Sequence, residues 1–407
     1  MTIRHAVDRV FGQALLLIPN FFVSITAAHQ LQTSALAAFF IAWTIESQWI
    51  AGIRAILVPT LVLHESRPRA LALFGTLSAL ALVPGGVMFF VAYDGGLDFL
   101  SSLALAFTPL VLGALDCVRS ISAKSARRRG RLLIVDAAPL VGVCGVFGLG
   151  LIAVVPNNVL TTTVGVLAGS MAGLFLALKG VSQDPKQLDT ARVWLRASRG
   201  LLLAGIQEWA VFAFVGLASI GILNELAGPE AVAGIRLAET LLAPLGVLAL
   251  AVPVAVAPMI RSLEARWPGP LKLTAALLMG VGFAWISLVL LVPASWVAFV
   301  VGDHGSEARM AVGGLAAGAM AGLGASVLSI VLKRRNQLKK LRAVRWLELA
   351  IAIPCVAVGA LGGTVASAAA SISVFQVVAA CALVLAERMS ARGDTNRRSQ
   401  QEFERVI

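Results

Sequence analysis

The feature that most constrains this chain is an alternation. Long apolar runs are separated by connecting segments that are by turns strongly basic and almost free of positive charge. The runs lie near residues 10–28, 34–61, 70–92, 99–118, 132–155, 159–178, 200–224, 231–259, 273–300, 310–332, 346–365 and 367–386. Most have the ~18 or more residues a helix needs to cross about 30 Å of hydrocarbon. Composition agrees: 58% of the residues are hydrophobic and 13% charged, with a mean hydropathy of +0.88. Soluble domains carry roughly 25% charged residues, so this chain lacks the polar surface that water requires.

The basic segments are the N-terminus with Arg4 and Arg9, the Arg67–Arg69 loop, and Arg119–Arg131. They continue with Lys179–Arg199, Arg261–Lys272, Lys333–Arg345 and the tail from Arg388 onward. Together they hold 30 of the 33 Lys and Arg residues, leaving Arg54, Arg236 and Arg309. The opposite set is short: His29–Thr33, Asp94–Asp98, Pro156–Asn158, Glu225–Glu230 and Gly302–Arg309. The acids Asp94, Asp98, Glu225, Glu230, Asp303 and Glu307 collect there. The positive-inside rule puts the basic set in the cytoplasm, so the expectation is an all-α integral membrane protein with about twelve transmembrane helices and both termini inside. Such a chain is a multi-pass protein of the cell (cytoplasmic) membrane, with the lipid bilayer as its solvent. The first run precedes further spans and is not a cleaved signal peptide.

The longest internal connection, Gly180–Arg199, divides the chain. Residues 1–180 form an N-terminal six-helix lobe, 181–199 a cytoplasmic linker, 200–388 a C-terminal six-helix lobe and 389–407 a cytoplasmic tail. Within the linker, Ala191–Ser198 reads as a short amphipathic stretch that places Trp194 at the membrane interface. Gln13 and Gln207 are 194 residues apart, as are Pro59 and Pro253, while Glu46 and Glu239 are 193 apart. That recurrence is what two parallel repeats would leave.

A charge inside a bilayer is costly, about 2.5–3.5 kcal/mol on the insertion scale, and therefore needs a reason. The embedded set is Glu46 and Arg54 in the second span, Asp136 in the fifth, Glu208 in the seventh, and Arg236 and Glu239 in the eighth. Glu46 and Arg54 are eight apart and Arg236 and Glu239 three apart, so each pair shares a helix face. Arg54 and Arg236 are candidate anion-binding residues, because a guanidinium grips phosphate in two-pronged fashion and keeps its charge. Gln13, Asn20 and Gln207 are candidates to line the same cavity, with interhelical hydrogen bonding as their other use. Glu46, Glu208, Glu239 and Asp136 are candidates to titrate with a coupling ion, H+ or Na+. The alternative for these charges is self-neutralising pairing. Asp136 would then pair with nearby Arg131, and Asp116–Arg119 and Arg345–Glu348 would be pairs at the membrane edge. Prolines 19, 59, 84, 109, 139, 244, 253, 293 and 354 fall within spans and mark possible kinks. The Gly314, Gly318, Gly322 ladder permits close helix packing.

No Walker A sequence is present, which argues against direct use of ATP. The four His and four Cys match no metal spacing, and the cysteines read as small packing residues. No outer segment exceeds about ten residues, too short for a catalytic domain. No enzyme activity, cofactor, metal or nucleic-acid partner is expected.

Two six-span halves, a polar first span and a second span after a short outer loop resemble the multidrug/oligosaccharidyl-lipid/polysaccharide exporter superfamily. The clearest stretch is Ala204–Ile260, which contains LNELAGPEAVAGIRLAETLLAPLGVLALAVPVAVAPMI. Gly228-Pro229-Glu230 followed by Ala233-Gly234, with a closing Pro258, is similar to that superfamily's outer-loop pattern. Its N-terminal counterpart, Pro19–Thr60, has Gln32-Thr33-Ser34 in place of Gly-Pro-Glu. Within the superfamily the chain looks more like the Wzx-type polysaccharide flippases. The drug antiporters usually carry an acid in the first span, whereas here Asp8 stands at its edge. The resemblance implies transport of a lipid-linked glycan or other amphiphilic anion by alternating access, with Arg54 and Arg236 holding its head. Cell-envelope biosynthesis proteins would be possible partners. A cation-coupled multidrug antiporter and a major-facilitator transporter are the alternatives, although the loop after the second span reads HESRPRA where the latter has a Gly/Asp/Arg-rich motif. A membrane glycosyl- or acyltransferase, or a non-transporting assembly partner, are more distant readings.

Overall fold

The computed structural model describes residues 3–63, 67–68, 70–122, 129–151, 156, 158–180, 188–189, 194, 196, 198–256, 269–334 and 337–406. Fourteen α-helices account for nearly all of them. In chain order they are α1 (Ile3–Gln30), α2 (Thr33–Leu63), α3 (Ala70–Asp94), α4 (Phe99–Ser122), α5 (Arg129–Leu151), α6 (Val159–Gly180) and α7 (Arg199–Leu226). They continue as α8 (Pro229–Leu241), α9 (Ala243–Val256), α10 (Gly269–Leu291), α11 (Ala294–Val301), α12 (Gly305–Arg334), α13 (Leu338–Leu361) and α14 (Val365–Val406). A two-residue parallel pairing, Arg67–Pro68 with Leu188–Asp189, ties the loop after α2 to the segment before α7.

Among the described residues, nine helices are long and apolar enough to cross a membrane, or ten if the bent pair α8–α9 is one span. Apolar side chains are exposed over the outside of the bundle, with Leu291, Phe299, Leu361, Val358 and Phe90 each at least 70% uncovered. In water that surface would drive aggregation; in hydrocarbon it is the correct exterior.

Two spans are broken where the sequence places proline. The eighth turns by 60° between α8 and α9, with Pro244 in the first turn of α9, where its missing N–H leaves no bond unmade. The ninth is a correction to a single run over 273–300: α10 stops at Leu291, and Pro293 caps a separate short helix, α11. The last helix runs on to Val406 and so includes the segment read as a tail. The side chains of Gln13, Pro59 and Pro253 lie outside the described residues, as do Pro258 and most of the 181–199 linker.

Local chemistry sets the outer helix starts. The Asp98 carboxylate accepts the backbone N–H of Ser101 at 2.9 Å, which caps α4. Asn158 and Thr161 cap α6 reciprocally, each accepting the other's backbone N–H. Gly228 opens α8 with φ of +86°, a left-handed conformation suited to glycine, and Pro229 follows as the first helical residue.

Helix α2 is the centre of the packing: it contacts α3 and α4 on one side, α7 and α8 on the other. Helix α1 packs against α5, α6 and α9. Helices α12, α13 and α14 pack together, with α12 also against α8, α9 and α10. Of the glycine ladder, Gly314 and Gly318 serve the α12–α14 contact: Ser373 Oγ donates to the Gly314 carbonyl and accepts the Gly318 N–H. A Cβ on Gly322 would meet nothing within 4 Å.

Trp194 is another correction. It is fully buried rather than interfacial, in a cluster with Ile53, Leu57, Cys117 and Leu202. A flat ring from the linker thus fills the junction of α2, α4 and α7.

Candidate functional site

Three groups of charged side chains lie inside the bundle. The first joins α2, α4 and α5. Arg54 donates to both Asp116 oxygens, Nε to Oδ2 at 3.0 Å and Nη2 to Oδ1 at 2.9 Å. Arg119, one turn after Asp116, lies 3.4 Å from it and also pairs with Asp136 on α5. Asp116 and Arg119 are not the edge pair that their spacing suggests, for both are buried, at 4% and 9% exposure. Asp136 pairs with Arg119 across helices, and the side chain of Arg131, to which proximity in sequence points, lies outside the described residues. Among the described residues, these pairs set Arg54 and Arg119 against Asp116 and Asp136, opposite charges meeting as a low-dielectric interior demands. Gly12 on α1 makes room for the Asp136 carboxylate, where a Cβ would collide.

The second group joins α7 and α13. Arg345 is held by Glu348 at 2.7 Å and by Glu208 at 3.4 Å. One turn earlier on α13, Arg342 Nη1 reaches Gln207 Oε1 at 3.4 Å. The Arg345–Glu348 pairing follows the i, i+3 spacing, but Glu348 is buried at 7% exposure and is no edge residue, and Glu208 is the pair's addition from a second helix.

The third group is the Arg236–Glu239 pair on α8. The opposite face of α8 carries Ala231, Gly234 and Ala238, all buried. Small residues there let α12 and α14 come close, with Gly234 facing Glu307 and Val365. Packing of that face turns Arg236, Glu239 and Thr240 toward the bundle centre.

Two cavities meet at this pair. One, of about 180 Å³, is lined by Asn20, Ser24, Thr44, Ser47 and Thr240 among apolar and aromatic residues including Phe40 and Trp43. The other, of about 150 Å³, has Gln48, Ser219, Glu348 and Gln376 among Phe212, Phe375 and aliphatic neighbours. Arg236 and Glu239 line both. The first lies between α1, α2 and the α8–α9 bend, the second between α2, α7, α8, α13 and α14.

The candidates from the sequence therefore separate. Arg236, Glu239 and Asn20 line cavities. Arg54, Asp136 and Glu208 sit in ion pairs, and none of them is among the cavity-lining residues. Gln207 contacts Arg342, and Glu46 is buried at 2% exposure. Gln48, Ser219, Gln376 and Glu348 line a cavity without standing out as cavity residues in the sequence. Neutral polar residues are frequent in membrane helices, and their facing depends on helix rotation that spacing alone does not fix. No cluster of three or more metal-ligating side chains occurs among the described residues.

Apolar exterior, broken helices and central polar cavities define a polytopic α-helical membrane protein. The fold is like that of solved transporter structures of the multidrug/oligosaccharidyl-lipid/polysaccharide (MOP) superfamily. The lipid II flippase MurJ in an inward closed conformation superposes with a TM-score of 0.67 at 12% identity, covering 95% of this chain and 88% of that one. A mutant form of the Vibrio cholerae MATE transporter VcmN gives 0.67 at 12% identity, with 96% of both chains covered. A superfamily transporter from Pyrococcus furiosus gives 0.65 at 12% identity, over 95% of this chain and 94% of that one. No protein-family model matches the chain. No curated protein matches it either.

Proposed function

We propose that the protein is an alternating-access transporter whose substrate sits at the Arg236–Glu239 pair. One observation carries this reading: an ion pair half-open to two cavities, where the first two helices meet the α7–α8 region. The substrate class we favour is an amphiphile with an anionic head, such as a lipid-linked saccharide. Arg236 would hold the anion, and Asn20, Ser24, Thr44 and Ser47 would offer hydrogen bonds to hydroxyls. Arg54 can join when Asp116 shifts its hold to Arg119, which already lies 3.4 Å away. Glu239 would titrate with the coupling ion, and Glu46 is the second candidate. About twelve spans in two lobes, with both ends in the cytoplasm of a cell-membrane protein, complete the proposal.

The test is reconstitution with a fluorescent polyprenyl-pyrophosphate saccharide and a chemical quencher outside the vesicles. Arg236→Gln should lower flipping by at least about tenfold, the loss of one charge-assisted hydrogen bond. Flipping at the wild-type rate in Arg236→Gln would reject the anchor.

A second reading is a cation-coupled multidrug antiporter. Two carboxylates, Glu239 and Glu348, face the smaller cavity against one guanidinium, Arg236. Efflux of an organic cation driven by a proton or sodium gradient, without saccharide flipping, would favour it.

A further inference from the structure

Hydroxyls inside these helices mostly return to their own backbone. Thr26, Thr44, Ser47 and Thr240 donate to carbonyls one turn back, and Ser326, Ser329 and Ser371 do so over three residues. Ser219 does not. Its Oγ is buried without a partner although the residue is only 8% exposed. The buried Gln48 Oε1 is likewise without a partner. Of the buried polar side-chain atoms lacking partners among the described residues, these two line one of the two central cavities, and it is the same one. A buried acceptor left empty costs about 1–3 kcal/mol, so two at one cavity call for an occupant.

Their placement is constructed by the packing of α2 on α7. Trp209 Nε1 donates to the Gln48 backbone carbonyl at 2.7 Å, which pins that turn of α2. The Gln48 side chain lies over Gly216, where a Cβ would stand 2.8 Å from Nε2. Ser219 is three residues further along α7, on the same face. The notch therefore has one member from each half of the chain and depends on their contact.

The chemistry of the occupant follows from what is already neutralised. Glu239 is paired with Arg236, and Glu348 with Arg345. A ligand meeting Gln48 and Ser219 must give a hydrogen bond to an amide oxygen and exchange one with a hydroxyl. A neutral hydroxyl does both, whereas a primary ammonium can only donate and a quaternary ammonium does neither. We propose that Gln48 and Ser219 form a hydroxyl-recognition notch that selects the transported substrate and is complete only when α2 and α7 are in contact. This rests on the transporter reading above and narrows it to hydroxylated amphiphiles.

The probes are n-octyl β-D-glucoside and octyltrimethylammonium, which share a chain and differ in head. Both are titrated below micellar concentration into the full-length protein in lipid nanodiscs, with empty nanodiscs subtracted. Wild type should prefer the glucoside. Ser219→Ala, Gln48→Leu and Gly216→Ala, the last displacing the amide, should each weaken the glucoside about tenfold, near one net hydrogen bond. The ammonium probe should change less than about twofold, and Ser219→Ala should not lower the unfolding temperature. Ser219→Ala removes one atom, so it tests the notch even if a larger change perturbs folding. Unchanged glucoside affinity in all three variants overturns the notch but leaves the transporter reading intact. So does equal loss of both probes, or a wild-type preference for the ammonium. Failure of wild type to bind either probe rejects the central chamber itself, and the notch with it.

Discussion

Arg54 and Asp116 meet as a two-pronged pair that joins α2 to α4 in the interior of the bundle, with both hydrogen bonds at 3.0 Å or less. Arg119 keeps Asp136 when Asp116 loses its charge, so the guanidinium left without its carboxylate is that of Arg54. Asp116→Asn should destabilise the protein by about 3–5 kcal/mol, the usual cost of breaking a buried pair from one side. The double variant Arg54→Met, Asp116→Leu still leaves Arg119 with Asp136 and should recover much of that loss. Unfolding in a mixed detergent series measures both. Equal stability of Asp116→Asn and wild type would show that these charges are solvated.

The Arg236–Glu239 pair predicts a different pattern, because its members are 23% and 42% exposed at the side chain and neither is locked by a third group. Glu239→Gln should change unfolding by less than about 1 kcal/mol. It should nevertheless abolish any dependence of transport on the coupling gradient. Comparing vesicle uptake with and without an imposed proton or sodium gradient checks this. A retained gradient dependence would move the coupling role to Glu46.

How much of this is legible in the sequence follows from the range of each interaction. Helix positions come from apolar length, and the breaks at Pro244 and Pro293 from proline's missing N–H, all of them local properties. Arg345–Glu348 and Arg236–Glu239 are readable because i, i+3 spacing puts partners on one face. Arg54–Asp116 and Arg119–Asp136 are not, since they join residues 62 and 17 apart on different helices. Trp194 misleads for the same reason: its amphipathic setting suggests an interface, but the hole it fills is made by α2, α4 and α7. Ser219 and Gln48 carry no sequence signal, because an unpartnered atom is defined by what surrounds it.

Orientation is open to direct measurement. In a cysteine-free background, single cysteines replacing Glu230 and Asp303 should react with an impermeant maleimide added outside intact cells. Cysteines replacing Lys339 and Lys124 should react only after permeabilisation. These positions alternate across about twelve spans under the positive-inside rule. Labelling of Lys339→Cys from outside would invert the topology.

Asp98 gives the helix α4 start a pH dependence. Burial acts to raise the carboxyl's proton affinity, but hydrogen bonds from the Ser101 hydroxyl and backbone N–H outweigh it and hold it below the usual aspartate range. A depressed folded-state value contributes stability that is present above the unfolded value and lost as pH falls through the folded one. The loss therefore falls below about pH 4. Hydrogen exchange of residues 99–102 should accelerate there, and Asp98→Ala, costing about 1 kcal/mol, should remove the transition. Exchange that is flat with pH in wild type contradicts the cap.

The contact between α2 and α7 depends on glycine at Gly205. A Cβ there would stand 2.8 Å from the Ala55 carbonyl oxygen and 2.9 Å from the Ile56 Cα. Both are backbone atoms of the facing helix, so neither can swing aside as a side-chain end would. Gly205→Ala must therefore push α7 off α2, at about 1–3 kcal/mol of overpacking. It should also strain the Trp209–Gln48 hydrogen bond further along the same contact. Gly221, later in α7, has open space where a Cβ would stand, with nothing within 4 Å. Gly221→Ala should instead stabilise by up to about 1 kcal/mol, the intrinsic helix preference of alanine. Because the two variants make the same chemical change in one helix, opposite signs in their unfolding temperatures isolate the interhelical term. Equal shifts would mean that α2 and α7 are not in van der Waals contact at this level.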